Sequence, residues 1–594
     1  MRQIKENLFI LFTKEDLRHF VFIFFGILLS GILEVAGIAS IAPFMAVLSS
    51  PELVNENETL VFLFNITNAE SNKEFVIILG FGVIAVLLVS NSYQAFMMWV
   101  VTNFSRFQTH RLSVRLLRQY LFKPYSFFLD RNTSEMGKNV VSEVSRGVGG
   151  VLLPLLNLVS KSIISVSIFI LVALIDPYTA IMVILVFGSI YTALYLSVKK
   201  LLHKIGVQTT DSATARFKIA HESMSGIKEI KLRGSENIFI DLFDIQSDLY
   251  AKNYAIRALI ASIPRYFIEV IAFGGIIVII ISMLMAGRDE SEIIVLTSVY
   301  AMAGYRLLPA IQGIYGDLTS LKFNLPILSV LASDLKKNEY KEQLQDHSEK
   351  IEFKEKISIK DVYFSYDGNK SILNKINLSI PRNYTIGFVG TTGSGKTTLI
   401  DILLGLLTPN KGSIFVDSIP INQKNLQSWQ KKIGYVPQSI FLIDDSIEKN
   451  IAFSVAGDKI DKKRVVDAAK MADLHDFILT LEDGYSTGVG ERGVRLSGGQ
   501  LQRIGIARAL YHNPEVLILD EATSSLDGST ENTIMESIHG LAHKKTIIII
   551  AHRLTTLKEC DVIHLLDKGQ VVASGNYHEL VGNNKQFRKL ANIN

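Results

Sequence analysis

Gly390-Thr-Thr-Gly-Ser-Gly-Lys-Thr397 stands between two apolar runs, Ile386-Gly-Phe-Val389 before it and Leu399-Ile-Asp-Ile-Leu-Leu404 after it. That order reads as a buried strand, a glycine-rich loop and a helix, and the eight residues fit the phosphate-gripping Walker A pattern in full. Glycine lets backbone N–H groups approach a phosphate chain with no Cβ in the way. The helix that follows aims its free N–H groups and positive dipole end at the same charge. Lys396 is expected to reach the β- and γ-phosphates of ATP, and the Thr397 hydroxyl to ligate Mg2+. The whole cradle comprises Gly390, Thr391, Thr392, Gly393, Ser394, Gly395, Lys396, Thr397 and Thr398. A chance glycine-rich turn is the plainer alternative, and the strand-before, helix-after context argues against it.

Around this loop, from Ile351 to Asn594, strand patterns alternate with helix patterns, as in an α/β domain. Phosphoryl transfer needs phosphates held, metal bound, water aimed and charge neutralised. Tyr366, in Phe364-Ser-Tyr366, is placed to stack on adenine, with an ordinary strand tyrosine as the alternative. Val516-Leu-Ile-Leu-Asp520-Glu521 is an apolar strand ending in two carboxylates. Asp520 would hold Mg2+, directly or through water, and Glu521 would orient or deprotonate the attacking water. Leu496-Ser-Gly-Gly-Gln500 opens a helix running to Tyr511, so Ser497, Gly498, Gly499 and Gln500 form a second anion-binding N-terminus. One domain has no use for two γ-phosphate cradles. The second is expected to close on nucleotide held by another copy.

The first half has a different character. Phe20 to Leu48 is almost uncharged and exceeds the roughly 20 residues that span hydrocarbon. Candidates of the same kind run from Phe75 to Val100, Val151 to Ile175, Tyr178 to Val198, Ala258 to Met285 and Glu292 to Tyr315. Asp176-Pro177 reads as a tight turn between the third and fourth. Met1 to His19 reads as an amphipathic surface helix or else as an ordinary soluble helix start. The Asn103–Gly150 connection carries Arg106, Arg111, Arg115, Arg118, Lys123, Arg131, Lys138 and Arg146, while the opposite loops carry Glu52, Glu56, Glu58, Glu70, Glu74, Asp289, Glu290 and Glu292. By the positive-inside rule the basic connections, and the Walker A half with them, are cytoplasmic. Lys123–Asp130 and Glu222–Lys231 are expected to be short turning elements at the tips of those connections.

Two features bear on what the membrane half handles. Arg265 and Arg306 lie a few residues inside the cytoplasmic ends of the fifth and sixth spans, where a charge costs several kcal/mol unless it meets water, a partner or an anion. They are candidates to attract a phosphate-bearing substrate, since guanidinium grips phosphate with two parallel hydrogen bonds. Internal neutralisation by Glu269 and Glu34 is the alternative. Leu60-Val-Phe-Leu-Phe-Asn-Ile66, too short to span, would make an interfacial helix, or else a strand or core patch of the outer loop.

Composition agrees with a chain of two kinds. It has 594 residues, 48% of them hydrophobic and 20% charged, with a mean hydropathy of +0.29. That length exceeds one core. The expected division is a transmembrane domain over 1–333, a charged linker over 334–350 and a nucleotide domain over 351–594. A net charge of +4 gives no reason to expect nucleic-acid binding, and the lone Cys560 excludes an intrachain disulfide.

Taken together, the chain resembles an ABC exporter half-transporter: a bundle of six transmembrane helices fused to a cytoplasmic α/β P-loop NTPase domain. That resemblance implies further roles. Gln438, in Tyr435-Val-Pro-Gln438, matches the Q-loop, a metal contact that links the γ-phosphate site to the membrane domain. Thr487-Gly-Val-Gly-Glu-Arg-Gly493 matches the exporter X-loop, Ser524-Ser-Leu-Asp527 the D-loop, and His552, in Ala551-His-Arg553, the switch histidine. The turning elements, near Tyr125 to Met136 and His221 to Lys231, would be coupling helices. With Glu521 and His552 both present, both ATP sites of a homodimer should hydrolyse. Within the family, the arginines and Leu60–Ile66 resemble the lipid-linked oligosaccharide flippases of the PglK type, which implies a polyprenyl-pyrophosphate glycan carried across a bacterial inner membrane. An exporter of lipids, drugs or peptides is an alternative, as is a membrane-tethered regulatory ATPase that moves nothing.

Overall fold

The computed structural model describes residues 2–591 except 53, 55–57, 286, 288, 289, 337–348, 367, 369, 523–527, 552 and 553. It divides into one unit of Met1–Lys123 with Asp130–Lys341, and another of Pro124–Leu129 with Glu342–Asn594.

Among the described residues of the first unit six helical segments are long and apolar enough to cross a membrane: Arg18–Ser49, Asn72–Leu121, Thr133–Ile175, Ala180–Ser225, Glu236–Met285 and Ile293–Lys336. The second and fifth have 50 residues each, about 75 Å at about 1.5 Å per residue. Roughly 30 Å suffices for hydrocarbon, so the basic connections of the sequence are largely these same helices running on. The turns between them follow local chemistry. Asp176 is extended, with φ −143° and ψ 98°, and its Oδ1 accepts from Tyr178 N at 3.1 Å. Pro177 opens the next helix, a first-turn position where its missing N–H does no harm. Ile227–Arg233 forms a short helix closed by Gly234 at φ 60°, the left-handed geometry that glycine adopts without strain. Tyr125–Leu129 and Thr133–Lys138 are short helices at the other expected turn. Leu60–Ile66 lies within a helix, Glu58–Thr67. Leu60 packs beside Val47 and Phe75, while Phe62 and Ile66 face outward.

Buried charge ties this unit together. Thr13 and Asp16 form a capping box, and Asp16 Oδ1 also accepts from Gln108 Nε2 at 2.6 Å and Arg111 Nη1 at 2.8 Å. The third span departs from α-helix into π turns at Asn139–Glu143 and Val148–Leu152. There Glu143, 1% exposed, meets Arg146 Nη1 at 3.1 Å and Lys138 Nζ at 3.7 Å. The linker expected from Asp334 begins later, because the last helix runs to Lys336. Asp334 is buried, accepting from Tyr120 Oη at 2.6 Å, Arg131 Nη1 at 3.2 Å and Asn139 Nδ2 at 3.2 Å. A carboxylate with three donors belongs to the helical unit, whatever its charged neighbours suggest.

Among the described residues the second unit carries ten strands: β1 Lys356–Phe364, β2 Leu373–Pro381, β3 Thr385–Gly390, β4 Lys411–Val416, β5 Ile419–Pro420, β6 Ile433–Val436, β7 Val516–Asp520, β8 Thr546–Ile550, β9 Val562–Asp567 and β10 Gln570–Gly575. They make an antiparallel sheet, β2-β1-β4-β5, and a larger sheet, β10-β9-β3-β8-β7-β6. In the larger one β9, β3, β8, β7 and β6 run parallel. Strands β3, β7 and β8 are buried throughout, which is why β7 and β8 are Ile/Leu/Val-rich runs and β3 carries Ile-Gly-Phe-Val, none alternating with charged residues. The parallel order brings the carboxyl ends of β3 and β7 to one edge, where ligands of open α/β sheets bind.

Candidate nucleotide site

Beyond β3 the chain enters the loop through Gly390, where an added Cβ would lie 2.2 Å from the Leu566 carbonyl oxygen. Gly393 at φ 80° and Gly395 at φ 99° are left-handed, and Gly395 caps the Lys396–Leu403 helix. A side chain at any of these positions would clash or strain the turn. The helix is anchored at its far end by buried Trp429, whose Nε1 donates to Leu403 O at 2.8 Å.

Lys396 Nζ donates to the carbonyls of Gly390 at 2.8 Å and Thr391 at 3.1 Å. Burial pulls its pKa down, with Glu521 and Asp520 acting the other way. An ammonium held this way stays hydrogen-bonded until a phosphate, a charged and stronger acceptor, takes it over. The Ser394 hydroxyl is buried and has no hydrogen-bond partner among the described residues. The Tyr366 ring is half exposed and its hydroxyl lies 3.2 Å from Thr398 Oγ1, which fixes an open aromatic face beside the loop.

At the end of β7, Asp520 is buried and accepts from Tyr435 Oη at 3.4 Å. Glu521 turns sharply out of the strand at φ 50°, a left-handed conformation that costs a non-glycine residue on the order of 1 kcal/mol. Its N–H donates to Ile550 O at 3.0 Å, and its Oε2 accepts from Gln438 Nε2 at 2.6 Å. The Gln438 amide and the second carboxylate thus meet directly. Asp401, one turn along the loop helix from Thr397, has its carboxyl pushed up to about 6 by burial and by Asp520. Tyr435 is raised by burial and the same aspartate. Sequence reading passed over Asp401 and Tyr435; the available signal was an acid placed four residues after Thr397, on the same helix face.

An ATP cradle fits this geometry: glycine positions that admit no Cβ, a spare buried hydroxyl and an ammonium on weak acceptors. A magnesium ion fits the donor chemistry, since Thr397, Gln438 and Asp520 offer hydroxyl, amide and carboxylate oxygens, the hard ligands it takes. Among the described residues no three His, Cys, Asp or Glu side chains converge on a metal position. Lys396→Ala is expected to lower ATP turnover by about 10²–10³-fold, the usual loss on removing one fixed charge-stabilising donor. A coupled ATPase assay on the purified chain checks it.

Ser497 caps the Gly498–Tyr511 helix in a closed capping box: its Oγ accepts from Gln500 N at 3.3 Å, and Gln500 Oε1 accepts from Ser497 N at 2.8 Å. The hydroxyl proton of Ser497 is still free to donate outward. No hydrogen bond joins Ser497–Gln500 to the phosphate loop of this copy among the described residues. His552 and Ser524–Asp527 lie outside the described residues. Thr487–Gly493 is a compact turn pinned by Ile447 N to Thr487 O at 3.1 Å and Val489 N to Asp445 O at 3.1 Å.

The two membrane arginines hold different neighbours. Arg265 Nε pairs with Glu269 Oε1 at 2.5 Å, with its side chain 56% exposed. Arg306 Nε lies 3.1 Å from the buried Glu34 Oε1, and its Nη2 donates to Asn91 Oδ1 at 3.1 Å.

Comparison with known proteins agrees with this geometry. Residues 373–524 match the ABC transporter family model and residues 20–304 the ABC transporter transmembrane region. The ATP-dependent lipid A-core flippase of Saccharophagus degradans is 32% identical over 496 residues, 83% of this chain and 81% of that protein. The heterocyst differentiation ATP-binding protein HepA of a Nostoc species is 31% identical over 483 residues, 79% and 76% of the two chains. The leukotoxin translocation ATP-binding protein LktB of Mannheimia haemolytica is 44% identical over 243 residues, but that is 41% of this chain and 34% of that one. A bacterial Atm1-family ABC exporter solved with ATP bound superposes with a TM-score of 0.78 at 20% identity, covering 96% of this chain and 97% of that one. The chain therefore belongs to the ABC transporter family as an exporter-type half-transporter, a multi-pass membrane protein whose cytoplasmic domain binds ATP and couples its hydrolysis to transport.

Proposed function

We propose that two copies of this chain form a homodimeric, Mg2+-dependent flippase of the bacterial inner membrane, moving a lipid-linked oligosaccharide on a polyprenyl pyrophosphate. The observation that carries the dimer is the pair of anion cradles in one domain. Lys396 of the phosphate loop feels the charges of Asp520 and Glu521, and Gln438 donates to Glu521, while Ser497 and its glycines make a separate, exposed cap. Two copies facing each other give each loop the other's cap. Catalytic roles then fall to Glu521 for the water, His552 and Gln438 for sensing the γ-phosphate, and Lys396 for its charge. ATP closes the domains because it binds the closed state better, and hydrolysis removes that preference.

The substrate class rests on the membrane arginines and on kinship with a lipid A-core flippase over most of the chain. The higher identity to LktB is confined to less than half of the chain and bears little on cargo. Arg306, paired with the buried Glu34, and Arg265, open to its surroundings, are the groups proposed to meet phosphate. In proteoliposomes, ATP should deplete outward-accessible labelled lipid-linked glycan. Arg265→Gln with Arg306→Gln should slow that depletion at least about tenfold, the effect of losing about 1.4 kcal/mol of binding. Hydrolysis with no glycan movement, or flux unchanged in the double variant, refutes the assignment.

A further inference from the structure

Three cavities of the membrane unit share walls. One of about 280 Å3, between the third, fourth, fifth and sixth spans, is lined almost wholly by apolar side chains, among them Phe169, Phe187 and Ile311. A second, of about 300 Å3, shares those three residues and adds Ser165, Tyr191 and Thr192. A third, of about 80 Å3, is reached through Tyr191 and Leu308 and is polar at its base, with Arg265, Glu269 and Gln312. The cleft thus grades from hydrocarbon walls to an ion pair and an amide. Glycine makes the room: a Cβ on Gly275 or Gly188 would meet nothing within 4 Å, and one on Gly304 only Ile276 Cδ1, at 3.8 Å.

Among membrane spans such a cleft takes an apolar occupant, because an unfilled one forfeits the dispersion contacts of its walls. A hydrocarbon chain threads either lobe. The polar end needs a head group able to satisfy a guanidinium, and a phosphate does so with two oxygens. We infer that each protomer binds one amphiphile on its own, its tail in the cleft between the third to sixth spans and its phosphate at Arg265, beside Gln312 and Tyr191. Glu269 holds the guanidinium until the phosphate arrives. The inference rests on the lipid-flippase reading for its ligand class, and it adds a tail site inside one protomer.

The test uses the full chain in lipid nanodiscs and a polyprenyl monophosphate carrying a photoactivatable diazirine at the tail end, with the uncharged polyprenol as its comparison. Irradiation should label peptides within 165–192 and 271–311, the polyprenol labelling about tenfold less. Gly275→Phe with Gly304→Phe should cut labelling about tenfold, equivalent to about 1.4 kcal/mol, in protein whose unfolding midpoint and elution are those of the parent. Arg265→Gln should erase the preference for the phosphate. Labelling confined to other segments, labelling that ignores the plugging substitutions, or chemical cross-links from these peptides to a second copy would each overturn the site. Labelling without ATP-driven translocation in vesicles keeps the site and rejects the flippase reading. Translocation undiminished by the plugs keeps that reading and rejects the site.

Discussion

Glu521→Gln is expected to slow ATP hydrolysis by about 10²–10⁴-fold, the range for loss of a positioned base, with ATP affinity within a few-fold of the parent. The substitution leaves volume and backbone alone. The left-handed φ of 50° that swings residue 521 out of β7 is as accessible to Gln as to Glu. What changes is the group that Gln438 Nε2 addresses at 2.6 Å: an amide keeps an acceptor for it but can take no proton from water. Because ATP then persists, the closed pair of nucleotide domains persists with it. Light scattering of the detergent-solubilised variant with ATP and Mg2+ should report a dimer, and a mass of one chain would defeat the scheme of two cradles shared between copies. Turnover near that of the parent would place the base elsewhere.

The parts that could be read from the sequence are those where chemistry restricts residue type over a short stretch. Gly390–Thr397 had to be glycine-rich because the backbone itself is the ligand, and Val516–Asp520 had to be apolar because β7 is buried on both faces. The spans were legible through length and the absence of charge. Sequence gave no access to relations made across distance. Tyr435 reaches Asp520 only because β6 lies beside β7, pairing Tyr435 with Ile518, and Asp401 feels Asp520 from the loop helix that follows β3. Asp334 read as linker because it sits in a charged stretch, while its partners Tyr120, Arg131 and Asn139 are some 200 positions earlier. The tail cleft depends on glycines from three separate spans, each unremarkable alone.

Glu143→Ala should lower stability by about 3–5 kcal/mol, the cost of removing one partner from a buried ion cluster, and it is a residue that sequence alone would leave on a solvated basic loop. Its carboxylate is 1% exposed and sits between two cations that are themselves largely withdrawn from water, the Lys138 and Arg146 side chains being 3% and 12% exposed. Arg146 has little else to hold: its Nε and Nη2 have no hydrogen-bond partner among the described residues, and the Tyr254 ring is 6.0 Å away. Among the described residues Lys138 Nζ then keeps only Thr214 Oγ1, at 2.5 Å. Glutamine would retain a hydrogen bond to Arg146 but no charge, so Glu143→Gln should fall between the parent and the alanine variant. Replacing the whole cluster, with Lys138→Met, Glu143→Leu and Arg146→Met, should recover most of the loss, because apolar side chains of similar volume carry no desolvation cost. Unfolding midpoints in detergent give the ranking. A deficit in Glu143→Ala below about 1 kcal/mol, the worth of an exposed pair, would mean that water reaches the cluster. Recovery in the triple variant would show that the loss came from stranded charge and not from the packing of the two π turns around it.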